Sequence, residues 1–426
     1  MTMTQRPCTP VPVAIRAFEQ PQTLRVAIAG CGTVGGALAA QLLAAGSVAG
    51  RTVHIASVLV RDVAKPRTVS FPRGVVTGDL ADFLRVVTGL LSPSRRRDCD
   101  VVIEAIGGIE PARTIVATAL TAGRRVVTAN KALLAAHGAE LAALAERGGG
   151  QLDFEGAVGA GIPVVRSLRS GAAGIGVQAL RGVLNGTSNF VLSRVREGVS
   201  FDRAVRDAQA AGFAERDPSR DLDGRDAGDK VALLAWLAFG VAPHMLAVRR
   251  RPLDDAVVLA GAAKALDATT IQLAECVRTP AGLVASVEPA VAPLAHPLGR
   301  VTGECNAVTV DSDSAGTIVF SGRGAGGDPT AGALHADLGA TSGPLPAPRI
   351  TAIASRDGRD LGWLLWSRSG DRLVSESAPA PVRREEAFAH DGWALYAFTG
   401  TPTAAASLAD RLRVAGDEPS WARDLR

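Results

Sequence analysis

Lysine is nearly missing from this chain. Lys and Arg together make 46 of 426 residues, yet lysine occurs only at Lys65, Lys131, Lys230 and Lys264. Where a plain surface cation is wanted, the sequence almost always has arginine. The few lysines are therefore candidates for places where Arg will not do, because Lys loses its proton when desolvated and Arg effectively does not. Cysteine is sparse too. Cys8, Cys31, Cys99, Cys276 and Cys305 are odd in number and scattered, which excludes a disulfide framework and a metal-type pair and fits a reducing cytoplasm. The longest apolar stretches are broken by Gly or Arg, so no membrane span is expected. No basic run interleaves with the aromatics, which make 4% of the chain, so no nucleic-acid partner is expected. The cluster Arg95, Arg96, Arg97 reads as a solvated loop. Residues 1–22 lack the charged-then-apolar form of a signal peptide and read as a disordered leader. What remains is ordinary globular composition, 47% hydrophobic and 21% charged with a net charge of +4, at a length that suggests two or three domains.

The first of these is an α/β dinucleotide domain of Rossmann type, residues 23–150. An apolar run at 24–29 ends in Gly30-Cys31-Gly32-Thr33-Val34-Gly35, and an Ala/Leu-rich helix follows over 36–45. Strand, glycine turn and helix in this order bring backbone amides to a pyrophosphate. The second strand, 53–60, ends at Arg61, Asp62 and, three residues on, Lys65. Arg61 and Lys65 suit a 2′-phosphate, so NADP(H) is preferred and NAD(H) is still admitted; a solvated loop of mixed charge is the plainer reading. A strand over 100–106 runs through Ile106 into Gly107. A further strand, 125–128, delivers Asn130 and Lys131 at its C-terminal end, where ligands sit in open α/β sheets.

A second α/β domain, 151–327, carries substrate binding on an open mixed sheet, and helix 328–340 is expected to return to the first domain. Its loop Glu155 to Pro163 offers one carboxylate among many backbone carbonyls. That suits a hard cation, or simply a tight crossover. Asn185-Gly186-Thr187-Ser188-Asn189 is a polar turn opening a helix. Then comes a block of acids, Glu215, Asp217, Asp221, Asp223, Asp226 and Asp229, followed by Lys230 on the apolar stripe of a helix. An unpaired buried ammonium is costly, so Lys230 needs carboxylates or a site mouth; an exposed Asp226–Lys230 pair at i, i+4 is the plainer alternative. Gly324 and Gly326 open a second glycine-rich helix start, suited to closing over a cofactor. After a linker over 339–348, residues 349–426 read as a small α+β unit. Its strands are expected at 349–354, 372–376 and 394–398, and its helix at 403–415.

These pieces together resemble homoserine dehydrogenase over residues 24–340. The motifs are GCGTVGGAL, EAIGGIEPA, VVTANKALLA, FEGAVGAGIPVVRSLR, RGVLNGTSNFVLSRV, GFAERDPSRDLDGRDAGDK, and VTGECNAV with SGRGAGGDPTAGAL. The resemblance implies reduction of L-aspartate 4-semialdehyde to L-homoserine with NAD(P)H, on the branch towards threonine, methionine and isoleucine. It implies Lys230 as proton donor and Lys131 as a second active-site lysine. Glu215, Asp226, Asp221, Gly186 and Thr187 match substrate-pocket positions. Arg61 matches the 2′-phosphate contact. Glu155 with the carbonyls of Val158, Ala160 and Ile162 matches a sodium site. It also implies a homodimer or homotetramer.

Departures leave two other readings open. The C-terminal unit sits where many family members carry an ACT regulatory domain, but residues 357–362 only faintly echo its ligand loop, and 379–390 read as an added loop. Ala157 and Ser188 depart from otherwise typical motifs. A paralogue acting on another semialdehyde or amino-alcohol is the alternative enzyme. A cofactor-binding regulator without turnover is the alternative of another class.

Overall fold

The computed structural model describes residues 23–89, 98–253, 256–340, 345–346, 361–367, 382–390, 393–401, 404–408 and 420–425. The apolar run becomes β1 (Thr23–Ala29), and the glycine turn leads into α1 (Thr33–Ala45). A short β2 (Ser47–Val48) folds back onto β3 (Arg51–Leu59). There follow β4 (Val76–Thr77), α2 (Leu80–Thr88), β5 (Val101–Glu104), α3 (Ala112–Thr121), β6 (Arg125–Thr128), α4 (Lys131–Gly148) and β7 (Gln151–Asp153). Apart from β2 the strands are parallel, in the order β4-β3-β1-β5-β6-β7. This is the doubly wound order whose reversal point lies between β1 and β5. Strands covered on both faces need no alternation, which is why β5 and the second halves of β1 and β3 read as apolar runs.

The glycine turn is dictated by contact distance. Gly30 has φ 96°, and a Cβ there would stand 2.6 Å from the Ala105 carbonyl oxygen. A Cβ on Gly35 would stand 1.9 Å from the Gly30 oxygen. Only glycines let α1 and β5 close in on β1. The helix α2 was passed over in the sequence, although Leu80, Phe83, Leu84 and Val87 recur at i, i+3, i+4 and i+7 and pack on the core. Asp79 starts it, accepting from the amides of Ala81 and Asp82.

The second region contributes α5 (Val164–Ile175), β8 (Val177–Val183), α6 (Gly186–Arg196), α7 (Phe201–Ala210), α8 (Ser219–Leu222) and α9 (Arg225–Phe239). It continues with β9 (Val248–Arg250), α10 (Ala256–Ala265), β10 (Ala268–Thr279), β11 (Gly282–Pro293), β12 (Cys305–Ser312), β13 (Gly316–Arg323) and α11 (Gly327–Gly339). From α11, Leu334 and Leu338 join Leu38 and Leu42 of α1 in one apolar cluster. Arg125 at the edge of β6 locks this return. It donates to the carbonyls at the end of α11, including Ala340 at 2.7 Å, and pairs with Asp153 at 2.8 Å.

Four more strands follow, β14 (Leu361–Ser367), β15 (Val382–His390), β16 (Trp393–Gly400) and β17 (Ser420–Asp424). They extend the second sheet, whose order is β13-β12-β8-β10-β11-β17-β14-β16-β15. β17 joins through a parallel pairing with Ala290 and Val291 of β11. The loop expected over 379–390 is corrected here: residues 382–390 form β15 against β16, with an irregularity between Glu385 and Ala389. Its VRREE stretch lacks the apolar alternation from which a strand is read. The expected strand over 394–398 lies within β16, and residues 404–408 are helical. The leader, the Arg95–Arg97 cluster, the expected strands at 349–354 and 372–376, and most of the linker and of the 357–362 echo lie outside the described residues.

Trp236 of α9 is the largest fully buried side chain. It stacks on Phe154 at 6.0 Å, and a Cβ on Gly138 of α4 would stand 3.1 Å from its ring. It therefore glues α9 to the first domain. Trp236→Ala is expected to cost about 3–5 kcal/mol of stability, read by urea unfolding. A loss below about 1 kcal/mol would mean that α4 and α9 are held by something else.

Candidate active site

A cleft of about 1220 Å³ opens between the two domains. Thr33 and Val34 at the start of α1 line one side, with Gly108, Ile109 and Lys131 beyond the ends of β5 and β6. Asn185, Gly186, Thr187, Glu215, Asp221, Asp226 and Lys230 line the other, and Gly324 to Gly327 form a rim. The first turn of α1 has no side-chain cap, and nothing stands within 4 Å of a Cβ built on Gly32. Its amides are thus left for an anion, which is the fit a pyrophosphate requires.

Asp226, in the first turn of α9, is the centre of the site. Its Oδ1 lies 2.9 Å from the Lys131 Nζ and its Oδ2 lies 2.8 Å from the Lys230 Nζ. Lys230 and Asp226 are both nearly buried, so the exposed i, i+4 pair is not what forms. Lys131 stands at the first position of α4, whose cap is Asn130 accepting from the Leu133 amide. A cation is poorly placed there with respect to the helix dipole, and Asp226 supplies the missing charge. Lys230 also donates to the Leu184 carbonyl at 2.7 Å. That uses two of its three donors and leaves one for a ligand.

Asn185 organises the acids. Its Nδ2 lies 2.9 Å from Asp226 Oδ2 and 2.6 Å from Asp221 Oδ1, while its Oδ1 accepts from the Ser188 amide and caps α6. Gln272 holds the Asp221 backbone carbonyl at 3.0 Å and receives the Ser188 hydroxyl. Burial alone would raise the Asp226 carboxyl, but Lys230 and Lys131 outweigh it and hold it well below the usual carboxylate range. The Asp226 charge in turn raises Lys131, against its own desolvation. Burial pushes Asp221 upward, while Asn185 draws it back.

Several expected site residues thus meet in the cleft: Lys230, Lys131, Asp226, Asp221, Glu215, Gly186, Thr187, Thr33, Val34, Gly324 and Gly326. Glu215 is exposed, and Thr187 donates to the Phe213 carbonyl at 2.6 Å. Ile106 and Gly107 lie just outside the lining, their amides given to buried Glu104. Arg61 and Lys65 lie outside it too, exposed on the loop after β3. Val158 and Ala160 line the cleft, while Glu155 and Ile162 sit behind it. Glu155 has a use not foreseen, since its two oxygens accept the amides of Val165 and Arg166 and cap α5. Asn185, the Leu184 carbonyl, Asn306 and Gln272 were missed. The cap signal of an Asn before a helix was there for Asn185. The others depend on strand pairing across the sheet.

The family model described as Homoserine dehydrogenase matches residues 163–338, and that of the Homoserine dehydrogenase, NAD binding domain matches residues 30–155. The homoserine dehydrogenase of Mycobacterium leprae is 38% identical over 332 residues, covering 75% of this chain and 73% of that protein. The chain belongs to the homoserine dehydrogenase family. Homoserine dehydrogenases are oxidoreductases acting on a CH–OH group. The crystal structure of a homoserine dehydrogenase from Thiobacillus denitrificans superposes with a TM-score of 0.84 at 27% identity, over 96% of this chain and 99% of that one. A hyperthermophilic archaeal homoserine dehydrogenase in complex with NADPH shares the fold, with a TM-score of 0.60 at 24% identity over 74% of this chain and 96% of that one.

The clamp has a pH signature. A depressed Asp226 adds stability that is fully present above about pH 4 and is lost as pH falls through its folded value. A raised Lys131 adds stability that is present below about pH 10 and is lost as pH rises through its folded value. Asp226→Asn in the homoserine dehydrogenase is expected to cost about 3–5 kcal/mol near neutrality, because it strands buried Lys230. The gap to wild type should shrink as pH drops below about 4, read by denaturant unfolding at each pH. A gap independent of pH would mean that Asp226 acts by shape and not by charge.

Proposed function

We propose that this homoserine dehydrogenase reduces L-aspartate 4-semialdehyde with Lys230 as proton donor and NADP(H) as preferred cofactor. The observation that carries the reading is the Lys131–Asp226–Lys230 clamp at 2.9 and 2.8 Å, facing the glycine turn across the cleft. The bound nicotinamide cofactor supplies the hydride to the aldehyde carbon. The third donor of Lys230 points its proton at the developing alkoxide and polarises the carbonyl beforehand. Lys131, kept cationic by Asp226, suits the substrate carboxylate or the same oxygen. Glu215 and Asp221, on the wall opposite the cofactor turn, suit the substrate ammonium. Thr187 and the amide of Gly186 complete the polar wall.

NADP(H) preference is supported by the loop after β3. Asp62, the acid that would favour a ribose hydroxyl, accepts the Ala64 amide at 2.9 Å and so serves its own turn. Arg61 and Lys65 are exposed beside it. For the cation, the donor set fits a hard ion, being all oxygen. Ala160 has φ 48°, which turns its carbonyl out of line with its neighbours. Burial pushes the Glu155 carboxyl up to about 7, and a nearby cation would favour its charged form. Glu155, Val158, Ala160 and Ile162 would hold sodium as a structural ion. We take the enzyme as a homodimer or homotetramer of the cytoplasm, serving the threonine, methionine and isoleucine branch. Among the described residues no helix is long and apolar enough to cross a membrane.

NADP-dependent oxidation of L-homoserine tests the assignment. Lys230→Ala should lower kcat by about 10²–10⁴-fold, the usual worth of a positioned acid or base, while NADPH still binds. Lys131→Ala should lower kcat/KM with NADPH binding retained. Full turnover by Lys230→Ala overturns the proton-donor role, and a wild type that binds NADPH but leaves homoserine untouched overturns the substrate. Arg61→Ala should weaken NADPH by about tenfold and leave NADH unchanged; equal loss of both removes the 2′-phosphate contact.

A further inference from the structure

Asn306, on β12, is fully buried. Its Nδ2 donates to the Leu184 carbonyl at 3.0 Å, the same oxygen that the Lys230 Nζ reaches at 2.7 Å. A carbonyl only accepts, so the amide nitrogen must face it and the amide oxygen must face away. That oxygen is buried with no hydrogen-bond partner among the described residues. The amide lies flat against Gly324, where a built Cβ would stand 2.0 Å from Asn306 Cγ and 2.4 Å from Oδ1. Three residues on, a Cβ built on Gly327 would stand 2.9 Å from the Thr33 methyl, in the cofactor turn. A line of contacts therefore runs from Lys230 through Leu184, Asn306 and Gly324 to the loop that meets the cofactor side.

We propose that Asn306 is a positioning residue for the proton donor. It fixes the Leu184 carbonyl against which Lys230 is set, and through Gly324 it ties that setting to the glycine loop at the cleft rim. The inference rests on Lys230 being the proton donor. A lysine ammonium is a compact charge on a flexible stem with rotatable donors. Asp226 fixes one donor and Leu184 a second, and only then does the third have a direction. A Leu184 carbonyl held by Lys230 alone moves with it. A donor misplaced by about 1 Å loses on the order of 10²-fold in rate.

The test is NADPH-dependent reduction of L-aspartate 4-semialdehyde from pH 5 to 10, with wild type, Asn306→Ala, Asn306→Asp, Gly324→Ala and Lys230→Ala. Asn306→Ala should lower kcat by about tenfold or more, with KM for NADPH moving less than about twofold. Gly324→Ala, which displaces the amide, should reproduce the kcat loss. Asn306→Asp keeps the shape and is informative even where Asn306→Ala does not fold. Its protonated carboxyl still donates to Leu184, while its ionised form repels that oxygen and draws Lys230 aside. Its kcat should lie below wild type wherever that carboxyl is ionised and recover where it is protonated. A kcat–pH profile that matches wild type throughout reduces Asn306 to a packing residue and overturns the inference. So does an unchanged kcat in folded Asn306→Ala and Gly324→Ala. If Lys230→Ala itself keeps turnover, the proton-donor reading has failed instead.

Discussion

Everything in the cleft depends on one carboxylate shared by two ammonium groups. Asp226 is buried, and by itself would be expensive to ionise. Lys131 comes from the first domain and Lys230 from the same helix, four residues on. Remove the acid and two cations face each other, one of them buried. Remove either lysine and a buried acid is left half-paired. The three charges are therefore stable only as a set, and the set exists only when the domains are docked. Catalytic geometry and domain docking are one constraint here.

The docking is held by apolar and polar means in separate places. Trp236 of α9 stacks on Phe154 and lies against Gly138 of α4 in the first domain. The polar means is Arg166 of α5, which pairs with Asp337 of α11 at 3.0 Å, while Arg125 holds α11 to the first sheet. Asp337 in turn accepts the Glu155 amide. Glycine enters where backbone must approach backbone, at Gly30 and Gly35 in the cofactor turn.

Much of this was legible in the sequence where the signal was local. The parallel strands showed as apolar runs because both faces are buried, and β6 falls over the residues expected. The rarity of lysine singled out Lys131 and Lys230 before any contact was known. What the sequence did not reveal was their shared partner across the domains, since 95 residues separate Lys131 from Asp226 by number alone. Gln272 and Asn306 were invisible for the same reason, being brought in by strand pairing at long separation. β15 was missed because its VRREE stretch lacks apolar alternation, and α2 was passed over although both its apolar spacing and its capping aspartate stand in the sequence.

The place of β17 carries a consequence for how the chain is made. β9 pairs with β11 over Ala285–Val287, which leaves the stretch at Ala290 and Val291 to be covered by residues 423 and 424. β17 is not the rim of the sheet but an inner rung, with β14 on its far side. During synthesis the edge of β11 is finished some 130 residues before its neighbour emerges, at about 5–20 residues per second. For that interval the growing sheet has an open edge, and the β14–β16–β15 ribbon has nothing to attach to. The sheet is closed there by a strand made long after its neighbour, so a ribosome that stalls before residue 420 leaves the edge of β11 open at Ala290 and Val291.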